Sequence, residues 1–180
     1  KRVNCKDGMV IANIGDASLG CGPVWEAINM AAMDQYTQLW DEAHKGGLPI
    51  IFNFFNNQYG MGGQTCGETM AYNILARFGA GVNPDQMHSE RVDGFNPLAV
   101  IDAYKRKRAI IDERRGPVLL DVLTYRYSGH SPSDASSYRT KEELAAWQEV
   151  DPLITYRAEL VKAGVASEDA FEAILENVKK

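Results

Sequence analysis

The sequence predicts a single α/β domain, residues 1–180, built on a parallel sheet with helices packed on its faces. Three short apolar runs are typical of buried strands: Met9 to Ile14, Leu48 to Phe55 and Pro117 to Tyr125. Stretches with helical spacing lie between these runs, and strands that alternate with helices pair in parallel. The length and the hydrophobic share of 45% suit one domain with a real core.

Two helices are predicted between the strands. The first covers Pro23 to Lys45, because proline suits a first helical turn and apolar residues recur near helical spacing until Gly46 and Gly47 stop it. The second covers Pro97 to Glu113 and has an apolar face. The segment between the second strand and this helix is mixed and predicts no regular element.

After the third strand the sequence predicts a polar loop and then further helices. The loop is Tyr127 to Arg139, and the following Thr140 to Glu143 has the pattern of a capping box, which starts a helix. Asp151-Pro152 and Ser167 start two more. We expect these carboxy-terminal helices to wrap the same core.

Composition excludes several classes of function. The net charge is −5, and Lys and Arg are scattered apart from Lys105 to Arg108 and Arg114 to Arg115, which speaks against a nucleic-acid surface. Cys5, Cys21 and Cys66 form no CxxC pair, which argues against a zinc site or a disulfide framework. With no apolar run of membrane-spanning length and no signal peptide, we expect a protein of the cytoplasm or another reducing intracellular compartment, with no membrane partner.

Polar clusters follow each of the three predicted strands. They are Gly15 to Ser18, Asn56 to Gly60, and Arg126 with Ser128 to Ser131. Ligands of an open parallel sheet bind beyond the carboxyl ends of its strands, so the coincidence predicts a ligand site there. Taken singly, each cluster also fits an ordinary turn.

The residue types in these clusters favour a hard cation and a phosphate group. A carboxylate from Asp16 and an amide oxygen from Asn57 are ligands that Mg²⁺ takes together with phosphate oxygens. The helix opening near Pro23 directs its positive dipole at phosphate, and Arg126 adds a fixed positive fork. His130 lies in a polar loop and fits either a functional imidazole or a solvated loop histidine.

Sequence blocks in a fixed order carry a family resemblance. They are GDASLGCGPVWEAINMAAM, LPIIFNFFNNQYGMG, RVDGFNPLAV, GPVLLDVLTYRYSGHSPSD and YRTKEEL. From about Met9 to Pro152 the chain resembles the alpha part of thiamine-diphosphate-dependent 2-oxo acid dehydrogenases of the pyruvate, acetoin or branched-chain type. The resemblance implies a three-layer thiamine-diphosphate-binding α/β fold, here lacking its amino-terminal portion.

The resemblance also implies the roles of individual residues. It assigns Mg²⁺ to Asp16, Asn57 and the backbone carbonyl of Tyr59, and it assigns the cofactor diphosphate and the reacting end of the cofactor to Arg126 and His130, with His130 as the catalytic residue. The cofactor-binding residues predicted in this way are Gly15, Asp16, Ala17, Ser18, Asn57, Tyr59, Arg126 and His130.

The activity implied is the oxidative decarboxylation of a small 2-oxo acid, with pyruvate favoured, and transfer of the acyl group to a lipoyl group on an acyltransferase partner. A beta-type dehydrogenase domain or subunit completes such a site. Two alternatives stay open: an acetoin dehydrogenase component, and a degenerate non-catalytic subunit with a structural or regulatory role. Ser131 matches a position that is phosphorylated in some relatives.

The chain departs from the family pattern in four ways. Ala17 stands where the family has glycine and would be strained at a positive φ. Gly20-Cys21 replaces Asn-Gln. A longer segment, Met33 to Lys45, is expected to project from the far edge as a longer helix or as a helix with a loop. The amino-terminal segment and the beta part are missing, so we expect a piece of a longer polypeptide that is inactive without them.

Overall fold

A computed structural model describes residues 8–179, and Cys5 lies outside them. The strands are β1 (Val10–Gly15), β2 (Ile50–Asn56), β3 (His88–Asp93) and β4 (Val118–Leu123). The helices are α1 (Gly22–Ala31), α2 (Gln35–Gln38), α3 (Leu75–Val82), α4 (Pro97–Asp112), α5 (Lys141–Glu149), α6 (Pro152–Lys162) and α7 (Glu168–Val178), and a 3₁₀-helix covers Asp16–Gly20. None of the helices in this range has both the length and the apolar character needed to cross a membrane.

The strands form one parallel sheet in the order β1-β2-β4-β3, which confirms the predicted architecture. The three predicted strands are neighbours in this sheet. β3 and α3 were not predicted. β3 reads HSERVD, and Val92 is its one buried residue, so it lacks an apolar run. α3 contains Gly79 and Gly81, which weaken a helical pattern.

Helices cover the sheet on both faces. Phe52, Phe54 and Leu119 pack on α1 and α3 from one side. On the other side α4 contributes Ala103 and Ile111 to a second cluster that includes the strand residues Ile51, Val92, Val118, Leu120 and Val122. The two clusters give the three layers that the sequence predicts.

The prediction of one helix from Pro23 to Lys45 is wrong, because α1 ends at Ala31. The side-chain amide of Asn83 donates to the Ala32 carbonyl at 2.9 Å and to Asp34 Oδ1 at 3.0 Å, and so occupies the carbonyl at the end of the helix. The short α2 and a loop follow, which is the second of the two predicted forms. This segment leads into the amino end of β2, at the opposite edge from the polar clusters.

The carboxy-terminal helices begin where predicted but do not wrap the core. The side chains of Thr140, Asp151 and Ser167 cap their amino termini. No residue of α5, α6 or α7 is buried, because α3 and α4 already cover the two faces of β4. α5 contacts the rest of the domain in part through Trp147, whose ring stacks on Tyr125 with centroids 5.0 Å apart.

Among residues 8–179, no helix packs on one part of the sheet on the α4 side. The residues of β1 and β2 that face this side include Ile11 and Phe55, which are 42% and 46% exposed. Parallel sheets are normally covered on both faces. This apolar surface therefore has the character of a contact surface.

A buried carboxylate connects several elements at the centre of the sheet. Asp121 of β4 is fully buried and accepts hydrogen bonds from the Asn56 side-chain amide at 2.8 Å and from the Leu75 backbone N–H at 2.9 Å. Arg91 Nε of β3 lies 3.7 Å from its Oδ2. One side chain thus connects the end of β2, the start of α3 and β3.

We expect Asp121→Ala to lower the free energy of unfolding by about 3 kcal/mol, since it leaves these buried donors and the Arg91 charge without an acceptor. Asp112→Ala is the matched control, because it removes an exposed carboxylate that pairs with Arg108 on the surface of α4, and such pairs contribute little. Denaturant unfolding measures both. Equal losses in the two variants would contradict this role for Asp121.

Candidate functional site

The carboxyl ends of β1 and β2 are joined through Asp16. Gly15 ends β1, and Asp16, Ala17 and Ser18 lie in the 3₁₀-helix that follows. The Asp16 side chain is buried, and its Oδ2 accepts a hydrogen bond from Thr65 Oγ1 at 2.8 Å. The Thr65 backbone N–H in turn donates to the Gln58 carbonyl at 2.9 Å, so the turn after β2 closes over Asp16.

The electrostatic state of Asp16 is unusual for a buried carboxylate. Burial raises its pKa, while hydrogen bonds from Thr65 and from the backbone of Ala17 and Gln58 act in the opposite direction. Within residues 8–179 no Lys, Arg or His forms an ion pair with it. A bound cation would offset the cost of burying this charge.

The turn after β2 presents two further oxygens. Asn57 Oδ1 accepts a hydrogen bond from the Tyr59 backbone N–H at 3.0 Å, and Gln58 between them has a φ of 66°. The Gly60 N–H donates to the Gly63 carbonyl at 2.9 Å and closes the turn. The Asn57 amide oxygen and the Tyr59 carbonyl are therefore held on one tight turn beside Asp16.

This donor set fits a hard cation that also binds phosphate. The part of the chain that the structure describes contains no cluster of three or more His, Cys, Asp or Glu side chains able to hold a metal ion. The candidate set has one carboxylate, Asp16, with the Asn57 amide oxygen and the Tyr59 carbonyl. Mg²⁺ binds in this way, with few protein oxygens and with phosphate and water completing the octahedron.

The third cluster reaches the same turn through Arg126. Its Nη2 donates to the Gly60 carbonyl at 3.0 Å and to the Tyr138 hydroxyl at 3.1 Å. Its Nε donates to the Ser128 carbonyl at 3.3 Å. The structure therefore brings Asp16, the Asn57 turn and Arg126 together, as their positions after the strands predicted.

Asp134 organises the loop that carries His130. Its carboxylate accepts hydrogen bonds from the backbone N–H groups of His130 and Ser136, both at 2.8 Å, and from the Tyr138 hydroxyl at 2.7 Å. These bonds lower the pKa of Asp134 to about 2. The His130 imidazole is exposed, and no contact among the described residues joins it to Asp16, Asn57 or Arg126. Its catalytic role stays a prediction.

Several residues of the site were missed by reasoning from the sequence. Thr65, Asp134 and Arg139 were not singled out, and Glu143 was assigned only to a capping box. Half of that box forms, since the Glu143 N–H donates to Thr140 Oγ1 at 3.0 Å. The Glu143 carboxylate instead accepts from the hydroxyls of Tyr59 and Tyr125. The YRTKEEL block marks Arg139 and Glu143 within the family pattern, but nothing local reveals their distant contacts.

Two departures from the family pattern have a structural explanation. Ala17 does not have a positive φ, so its methyl group introduces no backbone strain. Gly20 lies against the segment that carries Thr65: a Cβ at Gly20 would be 2.6 Å from the Thr69 carbonyl oxygen. Glycine is therefore required here, because neighbouring backbone occupies the space of a side chain.

These features define an α/β domain with its polar residues gathered at the carboxyl ends of parallel strands. The family model described as "Dehydrogenase E1 component" matches residues 1–180. The chain belongs to the dehydrogenase E1 component family, which confirms the resemblance to the alpha part of thiamine-dependent 2-oxo acid dehydrogenases.

Similar proteins carry the name of one such component. The pyruvate dehydrogenase E1 component subunit alpha of Rickettsia conorii is 33% identical over 167 residues, covering 93% of this chain and 46% of the relative. That of Rickettsia bellii is 30% identical over 183 residues, covering 100% and 50%. The somatic, mitochondrial form of Bos taurus is 35% identical over 184 residues, covering 99% and 42%. The chain thus spans about half the length of the curated relatives it matches.

Gly20→Ala is expected to lower the free energy of unfolding by about 1–3 kcal/mol, because the Thr69 backbone must move to admit a methyl group. Gly22→Ala is the control within the same stretch, since a Cβ there meets nothing within 4 Å. Thermal or denaturant unfolding compares the two. If Gly20→Ala is as stable as Gly22→Ala, the close packing against Thr69 is not a constraint.

We expect Asp134→Asn to loosen the loop around His130. Because the pKa of Asp134 in the folded state is depressed to about 2 from 3.8, its stabilisation of the loop is present above about pH 4 and is lost as the pH falls toward 2. Hydrogen exchange of the His130 and Ser136 amides, corrected for the intrinsic rate, measures this effect. In the variant the exchange should be faster at neutral pH and should lose that acid-dependent step.

The control for this experiment is Asp112→Asn, which removes an exposed carboxylate on α4. It should leave exchange in the loop unchanged. Equal protection in wild type and Asp134→Asn would show that the loop does not depend on this carboxylate.

Proposed function

We propose that this chain provides the thiamine-diphosphate and Mg²⁺ half-site of a 2-oxo acid dehydrogenase, with pyruvate as the favoured substrate. The observation that carries the proposal is the joining of three strand ends by side chains of the predicted types. Asp16 bonds to Thr65 of the turn after β2, and Arg126 bonds to Gly60 of the same turn. Membership of the E1 component family supports it.

In this proposal Asp16, Asn57 and the Tyr59 carbonyl would hold Mg²⁺, which would bind the cofactor diphosphate. Arg126 adds positive charge on the other side of the turn, where its guanidinium already donates to the Gly60 carbonyl. Gly15, Ala17 and Ser18 line the approach after β1, because small residues there admit a phosphate close to the backbone. The chain thus fixes the phosphate end of the cofactor.

Thiamine diphosphate, when bound, supplies the electron sink for decarboxylation. The chain contributes orientation and electrostatics. We assign to His130 the positioning or protonation of substrate through a ring nitrogen, since its imidazole is exposed while Asp134 holds its backbone at 2.8 Å. The fixed backbone and the exposed ring suit a group that acts on a ligand.

The overall reaction proposed is oxidative decarboxylation with transfer of the acyl group to a lipoyl group of an acyltransferase partner. Carbon dioxide leaves the 2-oxo acid, and the lipoyl disulfide takes up two electrons as one sulfur receives the acyl group and the other becomes a thiol. Pyruvate is favoured because the similar proteins are named pyruvate dehydrogenase E1 component subunit alpha.

A beta-type dehydrogenase domain or subunit is part of the proposal, because the relatives are named as subunits of a component. Exposed apolar surface supports such a partner. Besides Ile11 and Phe55 on the sheet, Leu153 on α6 and Val178 on α7 are 82% and 77% exposed. These exposed apolar side chains are available to contact such a partner.

The departures from the family pattern at Ala17 and Gly20 do not argue for the alternative of a degenerate, non-catalytic subunit. Ala17 has no positive φ, and Gly20 is fitted to the Thr69 backbone. Both departures are thus compatible with an intact site.

The deciding variant is Asp16→Asn, which keeps the shape of the side chain and removes its charge. We expect it to weaken Mg²⁺-dependent binding of thiamine diphosphate more than about 100-fold, because even residues behind the metal ligands cost 10–100-fold. The free energy of unfolding should be unchanged or raised, since the substitution removes a buried charge that has no cationic partner. Calorimetric titration of the full-length protein with its beta-type partner, with and without Mg²⁺, measures binding.

Asp93→Asn is the control, because Asp93 also ends a strand at this edge of the sheet, where it caps the turn at Phe95. It should bind the cofactor as wild type does. Absence of Mg²⁺-dependent binding in wild type, or full binding in Asp16→Asn, would refute the proposed function.

A further inference from the structure

Tyr59 is anchored at a distance from the turn to which it belongs. Its side chain is 6% exposed, and its hydroxyl donates to Glu143 Oε1 at 2.7 Å and Oε2 at 2.9 Å. The anchor spans 84 residues of sequence and connects the turn after β2 to the first turn of α5.

The Glu143 carboxylate is shared by two tyrosines. Tyr125, which follows β4, donates its hydroxyl to Glu143 Oε1 at 3.1 Å. The rings of Tyr59 and Tyr125 meet edge to face with centroids 6.1 Å apart. Glu143 therefore bridges the residues that follow β2 and β4, from outside the sheet.

Arg139 completes this cluster. Its guanidinium lies over the rings of Tyr59, Tyr125 and Tyr138 at 5.6, 5.5 and 5.7 Å from their centroids. It also donates to the Arg126 carbonyl and, at 2.9 Å, to the Ser128 carbonyl. The loop that carries Arg126 is thereby held against the same tyrosines.

The turn needs such an anchor because its own backbone is permissive. It contains Gly60, Gly62 and Gly63, and the internal bonds that close it are short-range. The Tyr59 side chain is the long-range attachment at the residue whose carbonyl is a predicted metal ligand. Where the Tyr59 side chain is fixed, the direction of its carbonyl is restricted as well.

We propose that Glu143 is a positioning residue for the metal site: by accepting the Tyr59 and Tyr125 hydroxyls, it fixes the orientation of the Tyr59 backbone carbonyl toward Mg²⁺. Glu143 itself touches neither metal nor substrate. The inference rests on the proposed function, since it gives a role to a residue behind the proposed metal ligands. It adds α5 to the elements that shape the site.

The test is Glu143→Gln in the full-length protein with its beta-type partner. Removing the charge weakens both tyrosine hydrogen bonds while the backbone N–H still donates to Thr140, so α5 keeps its cap. With thiamine diphosphate saturating, a calorimetric titration with Mg²⁺ should show an affinity reduced about five- to tenfold. Cofactor affinity at saturating Mg²⁺ and the thermal midpoint should stay near wild type.

Glu142→Gln is the matched control, because it removes the same charge from the same helical turn at an exposed position. Tyr59→Phe removes the hydroxyl and keeps the ring, and it tests the same contact if Glu143→Gln does not fold. The double variant should be no worse than Glu143→Gln, since Tyr59→Phe removes a hydrogen bond that Glu143→Gln already weakens.

The outcomes separate the two proposals. If the wild type binds the cofactor and Glu143→Gln needs no more Mg²⁺ than Glu142→Gln, the role of Glu143 is overturned and the proposed function is not. A defect in Glu143→Gln that excess Mg²⁺ does not rescue assigns it a general structural role and also overturns the inference. Wild type without Mg²⁺-dependent binding overturns the proposed function and the inference with it.

Discussion

The carboxylate of Asp121 sets the geometry on which the site depends. It lies at the middle of the sheet, where it accepts from the Asn56 amide and the Leu75 N–H and faces Arg91. Asn56 is the last residue of β2, and its carbonyl accepts from the Thr124 N–H at 2.9 Å. The turn with the predicted metal ligands thus leaves the sheet from a residue that is fixed through its side chain and its backbone.

Two buried aspartates illustrate how environment separates a structural carboxylate from a binding one. Asp121 has buried donors and a guanidinium 3.7 Å away, which together compensate its charge. Asp16 is also buried, but its partners are a hydroxyl and backbone groups, and burial raises its pKa. The first carboxylate is satisfied by the fold. The second has no cationic side chain paired with it among residues 8–179, so a bound cation would balance its charge.

The sequence predicted the strands that are apolar runs and the polar clusters that follow their carboxyl ends. Parallel pairing follows from the alternation of strands and helices, and it predicts that Asp16, Asn57 and Arg126 lie at one edge of the sheet. The sequence did not predict β3, because strand residues such as Glu90 are stabilised by an ion pair with Lys107 on α4 and do not form an apolar run. The sequence did not predict the end of α1, because the Asn83 side chain, 51 residues from Ala32, donates to the Ala32 carbonyl at that end. Tertiary contacts of this kind leave no local pattern.

The division of the sheet into two edges explains where this chain can differ from its family without losing the site. The long segment from Met33 to Gly47 lies at the amino edge, where Tyr36 is buried and accepts the Gly46 N–H through its carbonyl at 2.7 Å. Neither of these contacts reaches the carboxyl edge. At the carboxyl edge, by contrast, Gly20 is fitted to the Thr69 carbonyl. The Thr69 N–H donates to the Thr65 carbonyl at 3.0 Å, and the Thr65 hydroxyl donates to Asp16. The longer segment lies at the amino edge, whereas the contacts that hold the candidate ligands, from Thr65 to Asp16 and from Tyr59 to Glu143, lie at the carboxyl edge.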